Sequence, residues 1–263
     1  MKYKLFLIID KPITPWDSPV ASLLQTLGEC NYVSLNWDIL LEKSLYLQGK
    51  PYGVDETIVN INNGKLKSVS YEKNESTTRI AKVHGSANWA YCDNCHKIYS
   101  MKDEKLAKVI QAGIYAKDIA EFYPKFSANF HRGEVWKLIQ EIQKSDELKK
   151  CPMCGCLLGS HIATFSFNKS FRTRAFEASW KQAEDILAEA NKWIFVGYSL
   201  PDADFAFAHL LKCVQKRNDN KEIVVVVLND EEAKKRYESL FGKGFDFNNG
   251  GISEYIKLCS KTK

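Results

Sequence analysis

The chain has 263 residues, of which 45% are hydrophobic and 26% are charged. A chain of this size and composition can bury a substantial core, which excludes disorder as its default state. Its net charge of +5 is spread along the sequence, so charge alone does not imply a nucleic-acid partner. The longest aliphatic run, residues 223–228, is too short to cross a membrane, and residues 1–5 lack a signal-peptide pattern. We therefore expect a cytoplasmic protein.

Buried strands and amphipathic helices are predicted to alternate along the chain. The predicted strands are short apolar runs, at residues 32–35, 193–196 and 223–228. The predicted helices repeat apolar residues every three or four positions, at residues 38–45, 176–190, 207–214 and 231–240. Such alternation is typical of a parallel sheet covered on both faces. The predicted fold class is therefore a doubly wound, Rossmann-like α/β sheet.

A region of different character interrupts this alternation. A hairpin is predicted around Asn62-Asn63-Gly64, five of the eight cysteines follow between residues 92 and 156, and residues 135–142 form an amphipathic segment. We expect two lobes, a Rossmann-like lobe of residues 1–83 and 162–263 and an inserted, partly helical lobe of residues 84–161.

Two CxxC pairs are the most specific motif of this inserted region. They consist of Cys92, Cys95, Cys151 and Cys154. A tight turn in each pair can direct both sulfurs at one tetrahedral zinc ion, and four thiolates would close the site, as in structural zinc centres. The alternatives are four unrelated thiols or a redox-active pair. Further candidate ligands are Cys156, His96, His131 and His161.

Polar residues and glycines follow three apolar runs that read as strands. These residues are Asn36, Asp38, His84, Gly85, Gly197 and Ser199. Open α/β sheets bind ligands at the carboxyl ends of their strands, and a glycine allows a backbone to approach a ribose or a phosphate closely. We expect a ligand pocket at this edge of the sheet.

Six short motifs are weak singly but specific in their order. They are SLNWD at 34–38, VHGS at 83–86, the CxxC pairs, FNKS at 167–170, GYSLPDAD at 197–204 and VVLND at 226–230. Together they resemble the sirtuin-like family over residues 19–258, and its prokaryotic, defence-associated branch more than its histone-deacetylating branch. The resemblance implies an NAD-binding lobe, a zinc-ribbon lobe and cleavage of the nicotinamide glycosidic bond of NAD between them.

The resemblance also implies roles for single residues. Asn36 matches the asparagine that holds the nicotinamide ribose and, in hydrolytic members, a water molecule. His84 matches the general base, and a histidine is suited to accept a proton near neutral pH. The implied cofactor-binding residues are Asn36, Asp38, Gly197, Ser199 and Asn229.

Each of these assignments has a structural alternative. Asn36 could cap the helix that begins near Asp38, and His84 could be a hydrogen-bonded histidine of the core. Asp202 or Asp204 could cap the helix that follows GYSLP.

Two features depart from the family pattern. The glycine-rich loop that holds the NAD pyrophosphate is not found, since residues 10–15 after a predicted strand at 5–9 contain no glycine and two prolines. Leu35 stands where protein-deacylating members carry a glutamine, which favours hydrolysis over deacylation.

The expected function is that of an NAD glycohydrolase that binds zinc and uses NAD as its substrate. The alternatives are an NAD-dependent protein deacylase and a non-catalytic NAD or ADP-ribose-binding module. Expected macromolecular partners are an acylated protein or a fused or associated defence protein. A zinc-ribbon nucleic-acid binder ranks last, because basic residues do not gather beside the cysteines.

Overall fold

The fold is given by a computed structural model, which describes residues 19–53, 59–62, 65–67, 78–86, 88–101, 150–159, 174–218 and 220–261. Several predictions fall outside these residues. They concern the strand at 5–9, the segment at 135–142, the FNKS motif, His131 and His161.

The described residues form helices and strands in the following order. The helices are α1 Pro19–Leu27, α2 Leu40–Leu47, α3 Arg174–Glu189, α4 Phe205–Arg217, α5 Glu231–Phe241 and α6 Gly251–Lys261. The strands are β1 Tyr32–Ser34, β2 Tyr52–Gly53, β3 Val59–Asn62, β4 Lys65–Lys67, β5 Thr78–Lys82, β6 Trp89–Cys92, β7 Lys97–Met101, β8 Lys192–Val196, β9 Glu222–Val226 and β10 Asp246–Asn248.

Two three-stranded sheets are parallel throughout. In the first sheet β5 lies between β1 and β2, and in the second sheet β9 lies between β10 and β8. The mixed α/β fold with parallel sheets is therefore confirmed. A single doubly wound sheet stays a prediction, as do the lobe boundaries.

Helices cover both faces of the second sheet, as the alternating side chains of β9 require. Ile223 and Val225 face a core that also contains buried residues of β5, α3, α4 and α5. Val224 and Val226 face the opposite way and pack against Leu23 of α1 and Tyr255 of α6. Because both faces are apolar, the strand reads as a continuous run of β-branched residues.

The first sheet shares this core with the second. Ala81 of β5 and Val83 just after it are fully buried in the same cluster as Trp193 of β8 and Leu211 of α4. Burial of such apolar surface is the main stabilising term in folding, at about 25 cal/mol per Å². The residues that follow β5 are therefore held firmly.

A third sheet has the order β4-β3-β7-β6 and carries the first cysteine pair. The predicted hairpin is confirmed, because β3 and β4 are antiparallel with Asn62 opposite Lys65. Strands β6 and β7 are also antiparallel, with Cys92 opposite Lys97.

The helices α1 and α6 and the strands β2, β6, β7 and β10 were not predicted from the sequence. The helix α6 buries Tyr255 and packs Ile252, Ile256 and Cys259 against β9 and α1. The helical spacing of these residues is a sequence signal that could have predicted α6. None of the described helices has the length and the apolar composition that a membrane span requires.

Candidate functional site

The register of β1 and β5 aligns two of the predicted site residues along the backbone. Ser34 is the partner of Lys82 at the carboxyl ends of these parallel strands. Asn36 and His84 each lie two residues beyond those partners, and neighbouring strands are about 4.8 Å apart. Asn36 is exposed, whereas the side chain of His84 is 1% exposed.

The imidazole of His84 pairs with a carboxylate that the sequence analysis did not assign to the site. Its Nε2 atom lies 3.0 Å from Oδ2 of Asp204, which is fully buried. The hydroxyl of Tyr198 donates a hydrogen bond to the same oxygen, at 3.0 Å. Burial, followed by the charge of Asp204, raises the pKa of Tyr198, so this hydroxyl stays a donor.

The structural alternative in which Asp204 caps the following helix is contradicted. Asp204 stands at the start of α4, but its side chain makes no capping hydrogen bond. Its carboxylate points to His84 and Tyr198 instead. The sequence did carry a signal for this residue, namely an acidic side chain between the glycine that ends a predicted strand and the start of an apolar helix.

Aromatic rings surround the His84–Asp204 pair. Trp180 of α3 lies edge-on to the imidazole, with ring centroids 6.3 Å apart, and its Nε1 donates to the Val83 carbonyl at 2.9 Å. Phe207 contacts both Trp180 and Tyr198 edge-to-face. In such apolar surroundings a hydrogen bond to a charged group is stronger than in water.

The loop between β1 and α2 is fixed at Asp38. Its Oδ1 accepts a hydrogen bond from the backbone N–H of Leu40, and its carbonyl accepts one from Lys82 Nζ. The structural alternative in which Asn36 caps α2 is contradicted, because the side chain that accepts a hydrogen bond from the start of the helix is that of Asp38. Leu35 packs against the core shared by the two parallel sheets.

The segment after β8 adopts a constrained backbone conformation. Gly197 has φ of +66°, which suits glycine, whereas Leu200 has φ of +53°, which is unusual for a bulky side chain. Two side chains of α5 donate hydrogen bonds to carbonyls of the segment between Gly197 and Leu200. Arg236 donates to the Ser199 carbonyl, and the Tyr237 hydroxyl donates to the Tyr198 carbonyl. Strained backbone that neighbouring contacts maintain is common at ligand sites.

Asn229 follows β9, in the sheet that does not contain β5. Its side chain is exposed, its φ is +53°, and its N–H donates to the carbonyl of Asn249. Leu228 before it is 70% exposed. The predicted site residues thus stand at the ends of β1 and β5 in one sheet and of β8 and β9 in the other.

Four cysteines form a second site, which begins eight residues after His84 in the sequence. The sulfurs of Cys92, Cys95, Cys151 and Cys154 all lie within 4.8 Å of one another. This convergence rules out four unrelated thiols, and the four cysteines could hold a metal ion such as zinc.

The two cysteine turns have matching backbones. The His96 N–H donates to the Cys92 carbonyl, the Gly155 N–H donates to the Cys151 carbonyl, and both bonds are 2.8 Å long. His96 and Gly155 both have left-handed conformations, with φ of +53° and +72°. Each turn therefore presents two sulfurs in the same way.

The pKa is lowered at Cys151 and Cys154, which favours the thiolates that a metal requires, whereas burial raises the pKa of Cys92 and a hydrogen bond with Cys154 raises that of Cys95. The Cys95 N–H donates to Cys92 Sγ at 3.4 Å, and the Tyr99 hydroxyl lies 3.1 Å from Cys151 Sγ. A hydrogen bond from the Cys156 N–H lowers the pKa of Cys154 to about 6. Four thiolates suit a closed, tetrahedral structural zinc.

Two of the further candidate ligands, His96 and Cys156, lie among the described residues. The Nδ1 atom of His96 lies 2.7 Å from the Tyr91 hydroxyl, and among the described residues the group of converging sulfurs does not include Cys156. The CxxC residues are therefore the better ligand set.

No known protein family and no curated protein matches this chain in sequence. Its function must therefore be inferred from the chemistry and geometry of its own residues.

Proposed function

We propose that the protein is a sirtuin-like, NAD-consuming enzyme that hydrolyses the nicotinamide glycosidic bond of NAD. The observation that supports this most is the pairing of Ser34 with Lys82, because it aligns the backbones of Asn36 and His84 at the ends of adjacent parallel strands. Under this proposal the two parallel sheets belong to one doubly wound, Rossmann-like lobe that binds NAD.

The proposed reaction consumes NAD and water and yields nicotinamide, ADP-ribose and a proton. Nicotinamide leaves as the ribose carbon gains oxocarbenium character, and water forms the new bond to that carbon. The amide of Asn36 would orient the ribose and the water, and His84 would take the proton from the water.

The contact with Asp204 supports the role of His84 as a base. When Nε2 carries the hydrogen that faces a carboxylate, the lone pair of a neutral imidazole is on Nδ1. A buried carboxylate also stabilises the imidazolium that forms when the base accepts a proton. Asp204 would therefore orient His84 and determine which ring nitrogen accepts the proton.

The remaining predicted residues would bind the rest of NAD. Asp38 would support the pocket from the loop that carries Asn36. Gly197 and Ser199 would line the phosphate and ribose region, where a glycine permits a close approach of the backbone. Asn229 would contact the adenosine ribose. The zinc held by the four cysteines would stabilise the small lobe and take no part in the reaction.

The proposal is tested by incubating the purified protein with NAD and measuring nicotinamide, with and without an acetylated peptide. Release without peptide is expected for the wild type and is expected to fall about 10²-fold or more in Asn36→Ala and His84→Ala. His209→Ala is a matched control, because His209 is an exposed histidine of α4. Peptide-dependent release would indicate a deacylase, and no release under either condition would refute both enzymes.

One observation favours a second candidate, a non-catalytic module that binds NAD or ADP-ribose. The imidazole of His84 is 1% exposed and pairs with a buried carboxylate, as a structural histidine would. Calorimetry distinguishes the two, since NAD binding without turnover would support the module.

A further inference from the structure

A buried ion pair contacts the loop between β1 and α2, which carries Asn36. The Nζ atom of Lys82 is 3.0 Å from Oε1 of Glu42, and the side chains are 0% and 9% exposed. The same ammonium donates a 2.5 Å hydrogen bond to the carbonyl of Asp38. One cation therefore joins the end of β5, the first turn of α2 and the loop between β1 and α2.

Burying two charges is costly, and apolar side chains of similar size often replace such a pair without loss of stability. Among the residues that the structure describes, the second carboxylate oxygen of Glu42 has no hydrogen-bond donor, so its burial is only partly compensated. A stability role alone therefore explains this pair poorly, and a geometric role is favoured.

The pair connects the two residues of the proposed reaction. Lys82 precedes His84 by two residues, and through Asp38 it fixes the loop that begins two residues earlier at Asn36. The hydrogen bond from the Leu40 N–H to Asp38 ties the same loop to α2, on which Glu42 lies. Helix α2 is anchored in turn by Leu45, which is fully buried.

We propose that Lys82 and Glu42 are positioning residues that hold the Asn36 loop in register with His84. The inference rests on the proposed function for what Asn36 does, but the loop restraint itself does not depend on catalysis.

The test is the double variant Lys82→Met/Glu42→Leu, which removes both charges and leaves neither one alone in the core. Its thermal unfolding midpoint is expected to stay close to that of the wild type. Its kcat for nicotinamide release is expected to fall about 10-fold to 100-fold while KM changes little, because a small displacement of a catalytic group slows the chemical step. In an Asn36→Ala background the same two substitutions are expected to cause no further loss of kcat.

The matched control is Arg79→Met/Glu189→Leu, which removes an exposed ion pair between the same strand, β5, and α3. This control is expected to leave kcat unchanged. A wild-type kcat in the Lys82→Met/Glu42→Leu variant, or an equal further loss in the Asn36→Ala background, would overturn the inference. If the double variant does not fold, Glu42→Gln is measured instead and must lower kcat without raising KM.

Hydrogen–deuterium exchange separates this inference from the proposed function. Amides of residues 35–42 are expected to exchange faster in the double variant than in the wild type, while those of β8 and β9 are unchanged. If the wild type releases no nicotinamide but the loop exchanges faster in the variant, the proposed function fails and the loop restraint stands. Unchanged exchange at residues 35–42 would overturn the restraint.

Discussion

His84 and Asp204 lie 120 residues apart in the chain, yet their side chains meet at 3.0 Å in the protein interior. The contact joins the end of β5 to the start of α4, and Tyr198 adds a second hydrogen bond to the same carboxylate oxygen. A histidine in this setting has a defined orientation and a defined protonated nitrogen, both of which a general base requires.

Asp204→Asn is expected to lower kcat for nicotinamide release about 10²-fold with little change in KM. The amide keeps the shape of the side chain but removes the charge that stabilises an imidazolium at His84. Steady-state kinetics with NAD measure this effect. Tyr198→Phe is the control for loss of one hydrogen bond to Asp204 and is expected to have a smaller effect. Equal kcat in Asp204→Asn and the wild type would contradict a role for this carboxylate.

One zinc ion per chain is expected in protein purified without chelator. Cys95→Ser and Cys154→Ser are expected to lose the metal and to unfold at lower temperature, because binding energy at a structural zinc site contributes directly to folding. Metal analysis and thermal unfolding measure both effects. Cys213→Ser, which alters a cysteine of α4 outside the cluster, is the control. Full zinc content in Cys154→Ser would exclude Cys154 as a ligand.

Gly197→Ala is expected to destabilise the protein by about 1 kcal/mol, because Gly197 has φ of +66° and an L side chain is strained there. An added Cβ would meet no atom within 4 Å, so the cost comes from the backbone alone. Gly244→Ala is a matched control with equal space and no left-handed φ. Denaturant unfolding measures the difference, and equal stability of the two variants would contradict the strain at Gly197.

Glu184→Gln is expected to lower the free energy of unfolding at neutral pH by less than about 1 kcal/mol. The hydrogen bond from Arg217 is the main cause that lowers the pKa of Glu184 in the folded protein. Because the folded chain then binds this proton less tightly than the unfolded chain does, the stabilisation is present above the ordinary pKa of 4.5 and is lost as the pH falls below it.

Urea unfolding of the wild type and Glu184→Gln at neutral pH and at about pH 3 tests this dependence on pH. The two proteins should differ in stability only at neutral pH. Glu177→Gln alters an exposed carboxylate of the same helix and serves as the control. A difference that persists at acidic pH would show that the charge of Glu184 is not its cause.

Much of the fold could be predicted from local sequence. The strand at β9 and the helices α3, α4 and α5 follow from apolar periodicity, which depends only on near neighbours in the chain. The helix α6 carries the same signal at Ile252, Tyr255 and Ile256 and was missed. The short strands β2 and β10 have too few residues to show a period.

The cysteine turns illustrate what local sequence can establish and where it stops. A CxxC pair followed by a residue in the left-handed conformation forms its own turn, so the ligand type and the spacing are readable directly. That Cys92 and Cys154 come within 3.5 Å of each other depends on the pairing of β6 with residues near Gly159. Sequence order alone does not show how close two segments so far apart in the chain lie in space.

The partner of His84 could be found only in three dimensions. An aspartate at the start of an apolar helix is locally indistinguishable from a helix cap, and a cap by Asp202 or Asp204 was the structural alternative for this segment. Packing of α3 and α4 in the core shared with β5 instead brings the carboxylate of Asp204 to the imidazole, and the buried Lys82–Glu42 pair arises from tertiary packing in the same manner. Side chains distant in sequence acquire their partners from the shared core, so residue types indicate the chemistry available here, whereas packing selects which groups meet.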